Sequence, residues 1–425
     1  MNILKNKFSG LFAMGFFHIM SSNVLKNIGS FLSGIMVVRM VSKIDYGTYV
    51  YANNILSYFM LFSGLGITSA VFQICCENQK NKCYASGIFT YGVKCSYIIN
   101  LLIGGFLCGY AFFFGDVFPQ SKDYLLAMSF LPVVNVGYEL VTLYYRSRLE
   151  NKEYSYIVTV YTFCSCISLV GMSFFWGIWG IIFSNYFAPL VCMLVAKYKF
   201  SYYDKQLINI SNEIKHDIWK LALMSMTSNA ISNIMFMIDI SMISFFIKDE
   251  SAIASYKIAT TVPTAMLFIS TSVVTFIYPY FAAHINDIRW TIKNAQKLML
   301  VMIVIFFVIC VTLIYNAEVL LSVIFGSKYI DAVYIFQILT VSLFFQGTFR
   351  VIIGNLLVTQ RAVTFNIIES VLSGLVNVLA DYILIKQYQA IGVAFSTTIV
   401  MIFSSIIITS YYVYILNKKQ SACTE

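Results

Sequence analysis

The sequence predicts an all-α integral membrane protein of about twelve transmembrane helices in two parallel six-helix bundles, with both termini cytoplasmic. Three observations predict it: an apolar composition, a count of apolar stretches, and a one-sided distribution of basic residues. Of 425 residues, 59% are hydrophobic and 11% charged, at a mean hydropathy of +0.79. Soluble domains carry about 25% charged residues, and no soluble fold of this size hides so much apolar surface. The solvent is therefore a bilayer.

A span needs about 20 largely apolar residues. Twelve stretches qualify, centred near residues 25, 60, 100, 133, 165, 187, 233, 267, 305, 345, 373 and 402. Backbone groups in hydrocarbon must pair within their own segment, so these are helices. Pro132, Pro189, Pro263 and Pro279 lie within spans and are expected to kink them. At the N-terminus, Lys5 and Lys7 precede an apolar run that reaches Val38, as in a signal peptide. No A-x-A-like cleavage site follows, so this stretch reads as a retained first span.

Basic residues orient the bundle. With the N-terminus inside, 18 of the 28 Lys and Arg fall in cytoplasmic connections, among them Lys80, Arg148, Lys152, Lys205, Arg289 and Arg361. The opposite connections hold five: Lys43, Lys122, Lys248, Lys328 and Lys386. That asymmetry is the positive-inside rule. The net charge of +9 is thus a topology signal, and it gives no reason to expect nucleic-acid binding.

The longest connection sits mid-chain and separates six spans from six. The expected organisation is a bundle over residues 1–200, a cytoplasmic loop over 201–220, a second bundle over 221–417 and a tail over 418–425. Weak internal matches support a duplication. Tyr49 and Ala52 align with Tyr256 and Ala259 at an offset of 207, and Gly180 and Ser184 align with Gly392 and Ser396 at 212. Both halves start on the same side, so the repeat is parallel. Parallel halves of this kind enclose a central substrate site in secondary transporters.

Ten cysteines are scattered, with no Cys/His set at zinc spacing, so no metal or other cofactor is expected. The histidines are dispersed and no phosphate-binding glycine loop is present. An enzyme is therefore not expected. A membrane polymerase or glycosyltransferase should place catalytic residues on a sizeable loop. The longest outer loop, about residues 316–331, holds no acid–base–nucleophile set.

The informative residues are charges inside the spans. Lys26, Arg39, Lys94, Lys257 and Arg350 are basic; Glu139, Asp239, Glu369 and Asp381 are acidic. A lipid-facing charge at a helix centre costs about 2.5–3.5 kcal/mol. Most of these groups are therefore expected to face the bundle interior, a partner charge or water. Arg39, Lys257, Glu369 and Asp381 lie nearer span ends, where an interfacial position is the alternative.

Three segments resemble the polysaccharide-type flippases of the multidrug/oligosaccharidyl-lipid/polysaccharide (MOP) superfamily, the Wzx-type O-antigen transporters. They are "VVRMVSKIDYGTYVYANNI", "FMLFSGLGITSAVFQ" and "NVLADYILIKQYQAIGVAFSTTI". Gln389 departs from the pattern where such sequences often have Gly. The resemblance implies a MATE-like fold in a bacterial inner membrane. It implies movement of an undecaprenyl-pyrophosphate-linked oligosaccharide from the cytoplasmic to the outer leaflet by alternating access, with H+ or Na+ as coupling ion. A polysaccharide polymerase and a chain-length regulator are the partners it suggests. On that reading Lys26, Arg39, Lys94, Lys257 and Arg350 are candidate contacts to the anionic headgroup. Glu139, Asp239 and Asp381 are candidate ion-coupling or ion-pair groups. A drug or cation antiporter of the same superfamily and a lipid II flippase are the nearest alternatives.

Overall fold

The computed structural model describes residues 16–77, 82–199, 210–285, 287–360 and 362–422. Lys5, Lys7, Lys80, Lys205 and Arg361 of the basic count, and the start of the first apolar run, lie outside the described residues. Every described element is helical. In unit 1 the helices are α1 (Phe16–Met40), α2 (Lys43–Met60), α3 (Ile67–Glu77), α4 (Lys82–Phe114), α5 (Ser121–Met128), α6 (Leu131–Ser147), α7 (Asn151–Trp176) and α8 (Ile178–Lys199). Next comes α9 (Asn212–Phe246), followed by α10 (Glu250–Met266), α11 (Phe268–Ala283), α12 (Ile288–Tyr315), α13 (Ala317–Phe325), α14 (Val333–Phe345), α15 (Val351–Thr359) and α16 (Val363–Ala422).

Nine segments among the described residues are long and apolar enough to cross a membrane. The last, Thr364–Ser421, is 58 residues long and serves two crossings, because the chain reverses inside it at Gln389. Helices α1, with 25 residues, and α9, with 35, also have the length to span. Twelve crossings result, the number the apolar pattern predicts.

The chain forms two compact units, residues 1–230 and 231–425, and the division falls inside α9. Helix α9 begins at Asn212, within the stretch read from sequence as loop. The reason is amphipathicity. Ile218 and Ala222 lie one turn apart and are fully buried in the unit 1 core, while Glu213, His216 and Lys220 stay exposed. The indole of Trp219 donates to the Tyr91 hydroxyl at 3.0 Å. A hydropathy window averages such a segment away.

Unit 1 has two apolar clusters. One joins α3, α4, α6 and the start of α9 around Ile67, Val71, Ile88 and Leu140. The other joins α2, α5 and α8 around Ala52, Leu56, Leu125 and Ile182. Unit 2 has a core of Phe306, Leu343, Ile353, Leu357 and Ile408.

Breaks in the helices matter more for function. The second span is interrupted at Ser63–Gly66, where Gly64, Leu65 and Gly66 all have positive φ (55°, 45° and 76°). Gly66 is required there twice over, by its φ and by a close approach: a Cβ would stand 2.2 Å from the Ala222 carbonyl oxygen. Such backbone is tolerated at membrane depth only where protein or a wet cavity covers it. Ser63 donates to Asn100 Oδ1 at 3.0 Å beside the break. The eighth span is jointed at Leu267, between α10 and α11. In the tenth span, Gln346–Arg350 forms a single π-helical turn between α14 and α15. The Ser270 hydroxyl donates to the Gly347 carbonyl of that turn at 2.7 Å.

Three of the four prolines expected to kink spans, Pro189, Pro263 and Pro279, lie inside helices. Pro132 instead sits in the first turn of α6. Its missing N–H falls there on a position that has no intrahelical partner.

Candidate functional site

Two aspartates organise unit 2. Asp239 lies on α9 and Asp381 on α16; they are 8% and 0% exposed. Tyr256 on α10 donates its hydroxyl to Asp239 Oδ2 at 2.5 Å, and Thr397 on α16 reaches the same oxygen at 2.8 Å. The Thr397 hydroxyl also lies 3.0 Å from the Val393 carbonyl. One proton cannot serve both acceptors at once. Asn377, one turn before Asp381, is buried and directs its amide nitrogen to Ser396 Oγ at 3.4 Å.

What these bonds leave over is informative. Asp239 Oδ1, Asn377 Oδ1 and both carboxylate oxygens of Asp381 are buried and accept no hydrogen bond of ordinary geometry, although Ser396 stands beside Asp381. The two carboxylates are near enough to interact electrostatically. A pair of carboxylates in an apolar interior requires a cation, either a metal ion or a proton, to offset their repulsion. The donors are carboxylate, amide and hydroxyl oxygens, with no sulfur or imidazole. That set suits a hard cation.

Asp239, Tyr256, Asn377 and Thr397 line a cavity of about 160 Å³ within unit 2. Lys257, Thr260 and Thr264 of α10 and Gln346 of the π turn line it as well. Lys257 follows Tyr256 in sequence, so the two side chains leave α10 about 100° apart. Tyr256 serves the carboxylate, and Lys257 serves the open space.

The remaining sequence candidates are not gathered there. Arg350 closes the π turn and is half-buried, with Nη1 3.2 Å from Met401 Sδ and the Glu369 carboxylate as electrostatic neighbour. In unit 1, Lys26 lies over the Tyr161 ring at 5.5 Å, and Tyr161 stacks on Tyr138 at 4.3 Å. Arg39, in the last turn of α1, and Lys94, in mid-α4, are on the surface of unit 1. Glu139 is also exposed, with Thr68 as hydrogen-bond neighbour.

Two interfacial readings are corrected. Asp381 is fully buried, and Lys386, the nearest cation in sequence, lies instead over the Tyr382 ring at 3.7 Å. Glu369 is 2% exposed and accepts the Ser373 hydroxyl at 2.6 Å, so it is not a solvated helix end. In both cases α16 continues past the predicted boundary, and neighbouring helices cover the residue. Sequence reasoning missed the roles of Tyr256, Thr397, Asn377 and Gln346. Asn377 had a signal, because it stands four residues before Asp381 on one helical face. Thr397 had none.

A helical membrane unit with a polar cavity around buried carboxylates defines the class as a polytopic membrane protein of transporter architecture. The chain belongs to the family described as "Polysaccharide biosynthesis protein", whose model matches residues 36–334. Solved structures give the fold. The lipid II flippase MurJ, in an inward closed conformation, superposes at a TM-score of 0.71 with 15% identity, covering 92% of this chain and 86% of that one. An inward-facing multidrug resistance MATE transporter of the MOP superfamily superposes at 0.73 with 13% identity, covering 93% and 96%. A MOP superfamily transporter from Pyrococcus furiosus, described as having a binding pocket of reverse polarity, superposes at 0.52 with 14% identity, covering 96% and 95%. The fold is that of the MOP superfamily. No curated protein matches the chain significantly.

Proposed function

We propose that this protein is a flippase. It carries an undecaprenyl-pyrophosphate-linked oligosaccharide, an O-antigen or capsule repeat unit, from the cytoplasmic to the outer leaflet of a bacterial inner membrane by alternating access, coupled to Na+ or H+. The observation that carries this reading is the unit 2 cavity, which Asp239, with an unpartnered buried carboxylate oxygen, and Lys257 line together. The family match, which is to polysaccharide biosynthesis, favours a lipid-linked sugar over a drug.

A pyrophosphate cannot cross hydrocarbon bare, and a cation in a low-dielectric cavity attracts it strongly. Lys257 and Arg350 in unit 2, with Lys26, Arg39 and Lys94 in unit 1, supply the basic groups. Asp239 and Asp381 hold the coupling cation, with the Asn377 and Thr397 side-chain oxygens completing the set. Glu139, in unit 1, is the third candidate for coupling. Spans two and eight, the second of each six, are both interrupted. Interrupted spans at corresponding positions of two halves point to a binding region. Polysaccharide polymerase and chain-length regulator act next on the product.

The test is chemical. A strain lacking the protein should accumulate lipid-linked repeat units on the cytoplasmic face. Accumulation of exported but unpolymerised units would favour a polymerase instead. Export of cationic dyes, with normal surface glycan in the deletion strain, would favour a drug antiporter.

A further inference from the structure

Lys257 and the carboxylate cluster pose a problem of charge. Lys257 and Asp239 line the same cavity of about 160 Å³, and Asp381 is the electrostatic neighbour of Asp239. Among the described residues, Lys257 makes no ion pair with Asp239 or Asp381. Its backbone carbonyl accepts the hydroxyls of Thr260 and Thr261, at 2.7 and 2.8 Å, and its side chain ends in the cavity. Asp239, on the lining, and Asp381, near it, have unpartnered oxygens, and the Lys257 ammonium on the same lining has no anionic partner among the described residues. In an apolar interior, charges left this way are costly.

Two arrangements relieve the cost while Lys257 keeps its charge. In one, a cation sits on the carboxylates and an anion sits on Lys257. In the other, the ammonium itself moves onto Asp239. Occupancy of one site alone strands the opposite charge. We propose that Lys257 is a tethered counter-ion. It takes the place of the coupling cation at Asp239 and Asp381 until a phosphate-bearing headgroup draws it away, so cation and headgroup bind with positive cooperativity. The inference rests on the cation-site reading above. It adds that coupling between the two ligands is written into one flexible side chain, with no change of fold needed at that step. Thermodynamic reciprocity then requires each ligand to tighten the other by the same factor.

The experiment uses the full chain purified in nanodiscs, radioactive Na+ as the cation and inorganic pyrophosphate as the anion. Saturating pyrophosphate should tighten Na+ binding about tenfold in the native protein, within the usual range of such coupling. In Lys257→Gln, Na+ should bind about tenfold tighter without pyrophosphate and should not respond when it is added. Lys257→Arg keeps the charge and should keep the response. If the native protein binds no Na+, the same comparison is read in protons. Pyrophosphate should then drive proton uptake that both Lys257→Gln and Asp381→Asn abolish. A Lys257→Gln protein that behaves as the native one in either readout overturns the tethered counter-ion. Failure of the underlying reading looks different: Asp381→Asn would bind Na+, or take up protons, as the native protein does, and the inference would fall with it.

Discussion

At the scale of the residue, Asp381 is the most informative group in the chain. It is fully buried and neither of its oxygens accepts a hydrogen bond of ordinary geometry. A buried carboxylate in that state destabilises the fold unless a cation offsets it. Two consequences follow for Asp381→Asn, which keeps the shape and removes the charge. The variant should melt a few degrees higher than the native protein in cation-free buffer. It should also lose the rise in melting temperature that a specifically bound cation gives the native protein, as RT ln(1 + [L]/Kd) requires. A thermal-shift titration with NaCl against a bulky organic cation reads both, and an unchanged Na+ response would remove Asp381 from the site. Glycan export should be lost in the same variant. On the basic side, Lys26→Ala and Arg39→Ala should impair glycan export while the protein stays in the membrane; normal surface glycan in either would exclude that residue from the path.

The element scale is where the internal repeat becomes physical. Helices α7 and α8 are joined through Gly177, with φ 54° and ψ −127°. The chain reverses within α16 at Gln389, 212 positions later, with φ 51° and ψ −134°. Three residues on, Gly180 and Gly392 play the same part. A Cβ on Gly180 would stand 2.1 Å from the Met172 carbonyl oxygen, and one on Gly392 2.3 Å from that of Leu384. The two hairpins are one design used twice. Gln389 is the strained copy, since that backbone region is open to glycine and costs other residues roughly 1–3 kcal/mol. Its side chain is exposed, so Gln389→Gly should stabilise the protein by about 1 kcal/mol after the entropy cost of glycine. Gly392→Ala should destabilise it by about 1–3 kcal/mol through overpacking. Chemical or thermal unfolding of the two variants side by side checks both signs.

At the scale of the whole molecule, the duplication has diverged where chemistry is concerned. At the offset of 212, Asp381 corresponds to Leu169, Asn377 to Ser165 and Thr397 to Asn185. Tyr49 faces Asn185 in unit 1 as Tyr256 faces Thr397 in unit 2, but no carboxylate stands at Leu169. The scaffold is common to both units, and the paired carboxylates belong to unit 2. Orientation is a separate matter, expected from the one-sided distribution of basic residues at the span ends and in the connections. Single cysteines at positions 152 and 248 of a cysteine-free protein test it. In intact cells an impermeant maleimide should label position 248 and spare position 152. The reverse pattern would invert the topology.

The sequence by itself determined that this chain lives in a bilayer, crosses it about twelve times as helices, repeats itself in two halves and carries charges where lipid forbids them. These are properties of local composition and spacing, because a membrane leaves the backbone one way to pair its polar groups. Only the tertiary structure decided which charges meet. Asp239, Tyr256, Asn377 and Thr397 are up to 158 positions apart, and packing of three helices around one cavity brings them together. The same packing separates Asp381 from Lys386, its neighbour in sequence, because five residues along a helix carry the two side chains well apart around its axis.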